Sequence, residues 1–189
     1  YAYNGELGIN YTLGQRLTIA TNLYSTFLTN ALTVQNGTFD GQDSVMYDGQ
    51  MSQVMTTTNA AKARVLGAEL YVNAKLSNNF SLHGSYNYTY GRILTDTIPY
   101  PLDHIAPAFG KAALIYQKTK IRTEFFVQYS AWKKLKDYNL IGEDNYSYAT
   151  PEGMPSWYTL NLRFNYAFSQ HFSVQAACEN ILDQNYRQF

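Results

Sequence analysis

The sequence predicts an all-β protein, an antiparallel, up-and-down segment of a transmembrane β-barrel with about eight strands. The clearest pattern lies at residues 157–168, where apolar or aromatic side chains occupy every even position and mostly polar ones the odd positions. Strict alternation places the two sets on opposite faces of a strand. The pattern recurs along the 189-residue chain. Strands of about ten such residues with aromatic ends are typical of outer-membrane barrels.

The composition fits this fold class. Aromatic residues make up 16% of the chain and 18 of them are Tyr, which suits a water–lipid boundary but would also suit a carbohydrate-binding surface. Charged residues make up 15% with a formal net charge of zero, which argues against a nucleic-acid partner. Mean hydropathy is −0.33, and no apolar run approaches the roughly 18–20 residues of a transmembrane helix.

Eight alternating runs predict the strands, and the apolar row of each run is expected to face lipid. The runs lie at residues 1–13, 17–27, 66–76, 80–90, 112–116, 121–130, 157–168 and 172–178. A short turn rich in Gly, Asn, Ser or Lys joins the two runs of each successive pair, as in a β-hairpin. In the seventh run the residues predicted to face lipid are Leu160, Leu162, Phe164 and Tyr166, and those predicted to face the lumen are Asn161, Arg163 and Asn165.

Three longer connections hold all five prolines and run roughly from Asn30 to Ala61, Ile93 to Pro107 and Lys133 to Pro155. The first is long enough to contain a hairpin of its own, around Asp43 to Met55. Outer-membrane barrels have short periplasmic turns and long extracellular loops. Four short turns with three long loops place both chain ends on the extracellular side. This count predicts an internal piece of a larger barrel rather than a closed eight-stranded one.

Aromatic side chains in these long connections are the candidate ligand contacts, because they offer stacking faces and polar tips. They are Tyr47, Tyr100, Trp132, Tyr138, Tyr146 and Tyr148. The charges from Lys133 to Asp137 predict a solvated loop base rather than a binding site. No spacing of nucleophile and base indicates catalysis, and the three separated His residues indicate no metal site. Asp40, Asp43 and Asp48 fit no EF-hand loop. No cofactor and no metal are therefore expected.

Three segments, residues 101–110, 153–161 and 179–187, go beyond simple alternation. The first is a Pro-Leu-x-x-Ile-x-Pro run followed by Gly, the second leads into a Leu-Asn-Leu strand, and the third reads Glu-Asn-Ile-Leu-Asp-x-x-Tyr. Together they resemble the C-terminal barrel of TonB-dependent outer-membrane transporters. The matching positions, expected to be structural, are Pro101, Leu102, Ile105, Pro107, Gly110, Glu179, Asn180, Asp183 and Tyr186.

The resemblance implies part of a 22-strand barrel in the outer membrane of a Gram-negative bacterium, without enzymatic activity. It also implies a plug domain and import of a scarce nutrient, which could be an iron–siderophore, cobalamin, haem or a glycan. The implied partners are outer-membrane lipid, the rest of the barrel and plug, the TonB complex acting through the plug, and a small-molecule or glycan ligand. Residues 1–189 are expected to lack the plug and the final strand, and Phe189 is expected to match a barrel terminus only by coincidence. An outer-membrane enzyme or adhesin barrel and a soluble carbohydrate-binding β-sandwich remain alternatives.

Overall fold

The computed structural model describes residues 1–140 and 145–187, apart from the side chains of residues 31, 33, 60 and 61, so Phe189 lies outside the described residues. Within them the chain forms eleven strands and two short 3-10 helices, Leu135–Asp137 and Asn145–Tyr148. The strands are β1 (Ala2–Leu13), β2 (Leu17–Asn36), β3 (Ser44–Tyr47), β4 (Gln50–Gln53), β5 (Met55–Lys75), β6 (Phe80–Leu94), β7 (Tyr100–Pro101), β8 (Phe109–Lys118), β9 (Ile121–Ser130), β10 (Trp157–Ala167) and β11 (Ser173–Cys178). No helix in this part of the chain is long and apolar enough to cross a membrane.

Eight strands form one antiparallel meander in the order β1-β2-β5-β6-β8-β9-β10-β11. The all-β fold and the eight predicted strands are therefore confirmed. β7 adds two residues to the edge of β6, and β3 pairs only with β4 in a separate hairpin. That hairpin lies within the region around Asp43 to Met55, where the sequence predicted one.

The first long connection is much shorter than the sequence predicted. β2 continues to Asn36 and β5 begins at Met55, so both ends of the expected loop from Asn30 to Ala61 belong to strands. The apolar alternation stops in this region, but Thr-rich runs such as residues 56–58 favour the extended backbone because Thr is β-branched. Register shifts between Leu28 and Thr33 mark the irregular part of the ladder. Both strands therefore continue beyond the point where the apolar alternation stops.

The pairing registers align the apolar side chains in rows across one face, named the outer face here. One such row runs through Tyr11, Ile19, Val72, Gly84, Ala112, Val127 and Leu160. The next row runs through Leu13, Leu17, Ala74, Leu82, Leu114, Phe125, Leu162 and Cys178. Many of these side chains are exposed although they are apolar. The opposite, inner face carries the mostly polar rows, including Asn73, His83 and Asn161.

Two glycines lie so close to a neighbouring strand that a side chain would not fit there. A Cβ at Gly67 would overlap the ring of Tyr24 on the inner face, and the Tyr24 hydroxyl lies 2.8 Å from Thr89 Oγ1. A Cβ at Gly110 would overlap the carbonyl oxygen of Ser85 and approach Tyr129 on the outer face. Close backbone approach of this kind requires the missing side chain of glycine.

The sheet does not close on itself within these residues. β1 pairs only with β2 and β11 only with β10. The prediction that the chain is not a closed eight-stranded barrel is confirmed. The four short turns lie at one end of the sheet and the three long connections at the other, because every main strand is antiparallel to its neighbour.

Candidate ligand-binding rim and inner wall

The second and third long connections, residues 95–108 and 131–156, interlock at the long-loop end of the sheet. The Nζ atom of Lys133 donates to the carbonyl oxygen of Ile105 at 3.0 Å, and the Asn139 amide donates to Asp103 Oδ1. Asp137 also reaches the top of β6, where its carboxylate lies 3.4 Å from Arg92. Because these contacts join two connections and a strand, they form one unit, named the rim here.

The Pro-Leu-x-x-Ile motif fastens the second connection to β6. Pro101 pairs with Arg92, and the Leu102 amide donates to the Gly91 carbonyl at 3.2 Å. A Cβ at Gly91 would lie 2.8 Å from Ile105, so the isoleucine occupies the space that the glycine leaves. After Pro107 the chain enters β8, where Gly110 packs against Ser85 and Tyr129. The motif thus attaches the second connection to β6, close to the end of that strand.

The third connection has a small core of its own around Tyr138, which is 2% exposed. The Tyr146 ring meets Tyr138 edge-on at a centroid distance of 5.9 Å, and Lys133 Nζ lies 4.5 Å from the Tyr138 ring centroid. Lys133 pairs with Met154 through two backbone hydrogen bonds. Lys133 is therefore buried, and the prediction of a solvated loop base is wrong for it, because an ammonium can be buried when carbonyl and aromatic partners surround it. Lys134 and Lys136 are exposed.

The structure distributes the predicted ligand-contact residues unevenly. Tyr148 is 66% exposed on the rim, and Tyr146 and Trp132 are also accessible, with Trp132 Nε1 donating to the Glu152 carbonyl at 3.0 Å. Tyr100 is half-buried in β7, and Tyr138 lies inside the third connection. Tyr47 is exposed at the end of β3, in the separate hairpin rather than in the rim. Contact of these residues with a ligand stays a prediction.

A pocket of about 190 Å³ lies between the top of β6 and the rim. Its lining includes Tyr88, Tyr90, Arg92, Ile105, Trp132 and Asp137. The pocket joins aromatic faces, one cation and one carboxylate, and its walls at Tyr88, Tyr90 and Arg92 belong to the outer face of β6. The pocket was not predictable from the sequence, because its residues come from four separate stretches of the chain.

The inner wall below the rim carries a charged cluster around one buried ring. Phe126 lies between Lys111 Nζ, 4.1 Å from the ring centroid, and the Arg163 guanidinium carbon, 4.8 Å from it. Lys111 pairs with Glu124 at 2.6 Å. Arg163 pairs with Glu179 at 2.8 Å. Sequence reasoning missed Phe126 because it interrupts the polar row, and the doublet Phe125-Phe126 was the available signal.

Beside this cluster the inner wall forms a recess of about 430 Å³. Its lining residues are Arg122, Glu124, Arg163, Phe164, Asn165, Gln175, Ala176 and Ala177. The recess is open and its side chains are mostly polar, which suits a water-filled lumen rather than a packed core. Among the described residues, no group of three or more His, Cys, Asp or Glu side chains could hold a metal ion.

The Glu-Asn-Ile-Leu-Asp-x-x-Tyr motif ties the end of β11 to β10. The Asn161 side-chain oxygen accepts from the Asn180 amide at 2.9 Å, while the Asn161 amide nitrogen lies 3.1 Å from the Thr159 carbonyl. Asn180 and Asp183 both have positive φ and form a turn in which the Asp183 amide donates to the Asn180 carbonyl. Tyr186 then stacks on Trp157 at a centroid distance of 4.4 Å. These contacts bury Asn161 to 2% exposure.

The sequence matches the family model for the TonB-dependent receptor-like β-barrel over residues 1–181. The chain belongs to this family. Family members are outer-membrane proteins of Gram-negative bacteria. The soluble β-sandwich alternative is therefore excluded. No curated protein sequence matches the chain.

Several solved receptor structures share the fold. The copper transporter OprC matches with a TM-score of 0.78 and 16% identity, covering 99% of this chain and 27% of that one. The ferric enterobactin receptor PfeA of Pseudomonas aeruginosa matches with a TM-score of 0.70 and 18% identity, covering 97% of this chain and 26% of that one. The FrpB iron transporter of Neisseria meningitidis matches with a TM-score of 0.68 and 14% identity, covering 98% and 27%. The chain thus spans about a quarter of the length of each.

Proposed function

We propose that this TonB-dependent receptor segment forms part of the wall and the extracellular mouth of a transporter that imports a scarce nutrient across the outer membrane. The observation that carries the proposal is the rim, which two connections and the top of β6 lock into one unit directly above a polar inner wall. In this proposal the plug domain, the remaining strands and the contact with the TonB complex belong to parts of the protein outside residues 1–189.

The rim supports recognition of a large polar ligand. Its accessible aromatic faces are Trp132, Tyr146 and Tyr148, and the two tyrosine hydroxyls add polar groups beside them. Rigid aromatic side chains give contact area at a low entropic cost, and the polar groups orient the ligand. The names of the matched structures, a copper transporter and receptors for iron complexes, support a metal complex as the cargo. Cobalamin, haem and glycans are the other cargo classes to test.

Transport rather than catalysis is the proposed activity. Below the rim the open recess is lined by Arg122, Arg163 and Gln175 and offers a polar surface along the path to the periplasm. Such a path needs binding that is weak and distributed, so that the cargo can leave again. A cluster of exposed cations and amides provides that kind of surface.

The test uses the full-length receptor in cells that lack their own copy. Uptake of labelled ferric siderophores, cobalamin, haem and oligosaccharides is measured with and without an intact TonB complex. We expect one class to accumulate only when both the receptor and the TonB complex are present. Accumulation of none of the classes, with the receptor folded in the outer membrane, would contradict the transport proposal.

The role of the rim is tested with Y146A/Y148A in the same full-length receptor. Loss of two stacking faces, at about 1 kcal/mol each, predicts roughly thirtyfold weaker binding of the transported class to purified receptor. The matched control is L140A, because Leu140 is an exposed residue of the same connection without an aromatic face. Equal affinities in Y146A/Y148A, L140A and the wild type would place recognition outside these tyrosines.

A further inference from the structure

Charged side chains occupy only the two ends of the outer face. Along the eight main strands, every acidic residue lies on the inner face, and the outer face carries four charges, all of them cations. Three of them, Lys62, Arg64 and Arg92, lie together at the long-loop end of β5 and β6, and Lys118 lies alone at the other end. Between the two ends the outer face is uncharged, as a lipid-facing surface requires.

Two of these cations face each other across the ladder. Arg64 is the direct register partner of Arg92, and Lys62 follows two residues further along on the same face. Directly opposed side chains lie about 4.5–5.5 Å apart at Cβ, and like charges in that position destabilise a sheet. Arg92 is partly balanced by Asp137 and rests on the Tyr90 ring at 4.3 Å. Arg64 and Lys62 are exposed and form no ion pair among the described residues.

The height of this cluster corresponds to a membrane boundary. The uncharged outer row runs from Leu76, the residue just after β5, to Leu66 in β5, and Arg64 comes next. Ten residues at about 3.4 Å each, on a strand tilted by about 35–45°, rise about 24–28 Å along the barrel axis. The apolar band of an outer-membrane barrel is about 25 Å tall. On β6 the tyrosines 86, 88 and 90 precede Arg92 on the same face, as in the aromatic girdle of a barrel.

We propose that Lys62, Arg64 and Arg92 form a binding site for the phosphate groups of an outer-leaflet glycolipid. Guanidinium groups bind phosphate through two parallel hydrogen bonds, and an ammonium adds a point charge. A phosphate between Arg64 and Arg92 relieves the repulsion of the opposed pair, while the acyl chains of the same lipid cover the apolar rows of β5 and β6. The inference rests on the proposed placement in the outer membrane and is independent of the cargo.

The test measures lipid on the full-length receptor. The receptor and its K62Q/R64Q variant are purified in detergent and titrated with diphosphorylated lipid A, monitored by native mass spectrometry. Arg92 is left unchanged because it also contacts the rim. We expect roughly tenfold to thirtyfold weaker lipid A binding by the variant, since each cation near a lipid surface contributes about a factor of five. The matched control is K118Q, an exposed cation at the opposite end of the outer face, with unchanged binding.

Two further probes separate the possible sources of the phosphate. Dephosphorylated lipid A should bind the wild type no better than it binds K62Q/R64Q, and inorganic phosphate alone should not distinguish the two proteins. Equal lipid A binding by wild type and variant would overturn the proposal, and so would an equal loss in K118Q. If inorganic phosphate, but not lipid A, bound the wild type more tightly than the variant, the cluster would be a site for a free anion. That result would also overturn the proposal. Heat-shifted electrophoretic mobility and cargo uptake, both expected unchanged, keep this result separate from the transport proposal.

Discussion

At some positions of the inner wall, a side chain on the neighbouring strand limits the size of the residue that fits. At Gly67 the Tyr24 ring occupies the place of a side chain and reaches Thr89. The substitution Gly67→Ala should destabilise the full-length barrel by about 1–3 kcal/mol, because the ring must move and its hydrogen bond is lost. Urea-induced unfolding in lipid vesicles measures the change.

The control for this prediction is the same substitution in a Tyr24→Ala background. With the ring removed there is nothing for the new Cβ to displace, so Gly67→Ala should cost much less there. A double-mutant cycle isolates the coupling between the two positions. Equal costs in the two backgrounds would show that the glycine is needed for another reason.

The two faces of β10 should respond differently to a new charge. Leu162 lies in the middle of the outer face, so Leu162→Arg should destabilise the folded barrel by about 2–4 kcal/mol. Gln175→Arg is the matched control, because Gln175 is an exposed inner-face residue of the neighbouring strand. It should cost far less in the same unfolding assay, and similar costs would contradict the face assignment.

At the residue scale, alternation was sufficient to assign each side chain to the inner or outer face, but not to predict whether it is buried. Leu162 and Asn161 were separated correctly because side-chain direction has a strict period of two. The burial of Asn161 was not predictable, since it depends on Asn180, which lies in the turn that follows β11. The charged cluster around Phe126 was not predictable for a similar reason, because the cations that cover the ring, Lys111 and Arg163, come from two other strands.

At the element scale, the rim depends on one buried ammonium. Lys133→Met keeps the aliphatic stem but removes the bond to the Ile105 carbonyl and the contact with the Tyr138 ring. We expect faster amide hydrogen exchange in residues 101–108 and 133–139, with unchanged exchange in the main strands. Lys134→Met is the control, because Lys134 is exposed. Unchanged exchange in the Lys133 variant would mean that other contacts hold the rim.

The sequence predicted the elements with a clear apolar row better than those without one. All eight main strands were found, but β2 and β5 extend well beyond their apolar rows because backbone pairing continues between Thr-rich segments. The two 3-10 helices and β7 were not predicted, since they are too short to show a period. The rim was not predictable because its contacts join residues up to 45 positions apart.

At the scale of the whole molecule, the two open edges are the dominant feature. β1 and β11 each have one unpaired side within the described residues. Such edges expose backbone groups that cannot remain unpaired in lipid. Residues 1–189 expressed alone should therefore associate or aggregate in detergent, whereas the full-length receptor should migrate as a monomer with heat-shifted mobility. A segment that is monodisperse and shows heat-shifted mobility would mean that β1 and β11 pair with each other.

The open architecture was predictable from the number of short turns and long connections. That number fixes the end of the sheet at which the first strand begins and the last strand finishes. The sizes of the turns follow from local residue types, which the sequence displays directly. The number of strands in the complete barrel does not follow from these residues, because closure depends on strands that pair with β1 and β11.

The hairpin of β3 and β4 has a practical consequence for detecting this protein on living cells. It pairs only with itself, and its turn, Asp48-Gly49, has positive φ at both residues, as a two-residue hairpin turn requires. From Thr29 to Asn36 the β2–β5 ribbon continues about 24 Å beyond the main ladder. In the orientation proposed above, with the long connections outside the cell, this tip should be accessible to antibodies. An epitope tag between Asp48 and Gly49 would be accessible without disturbing the ladder that spans the membrane.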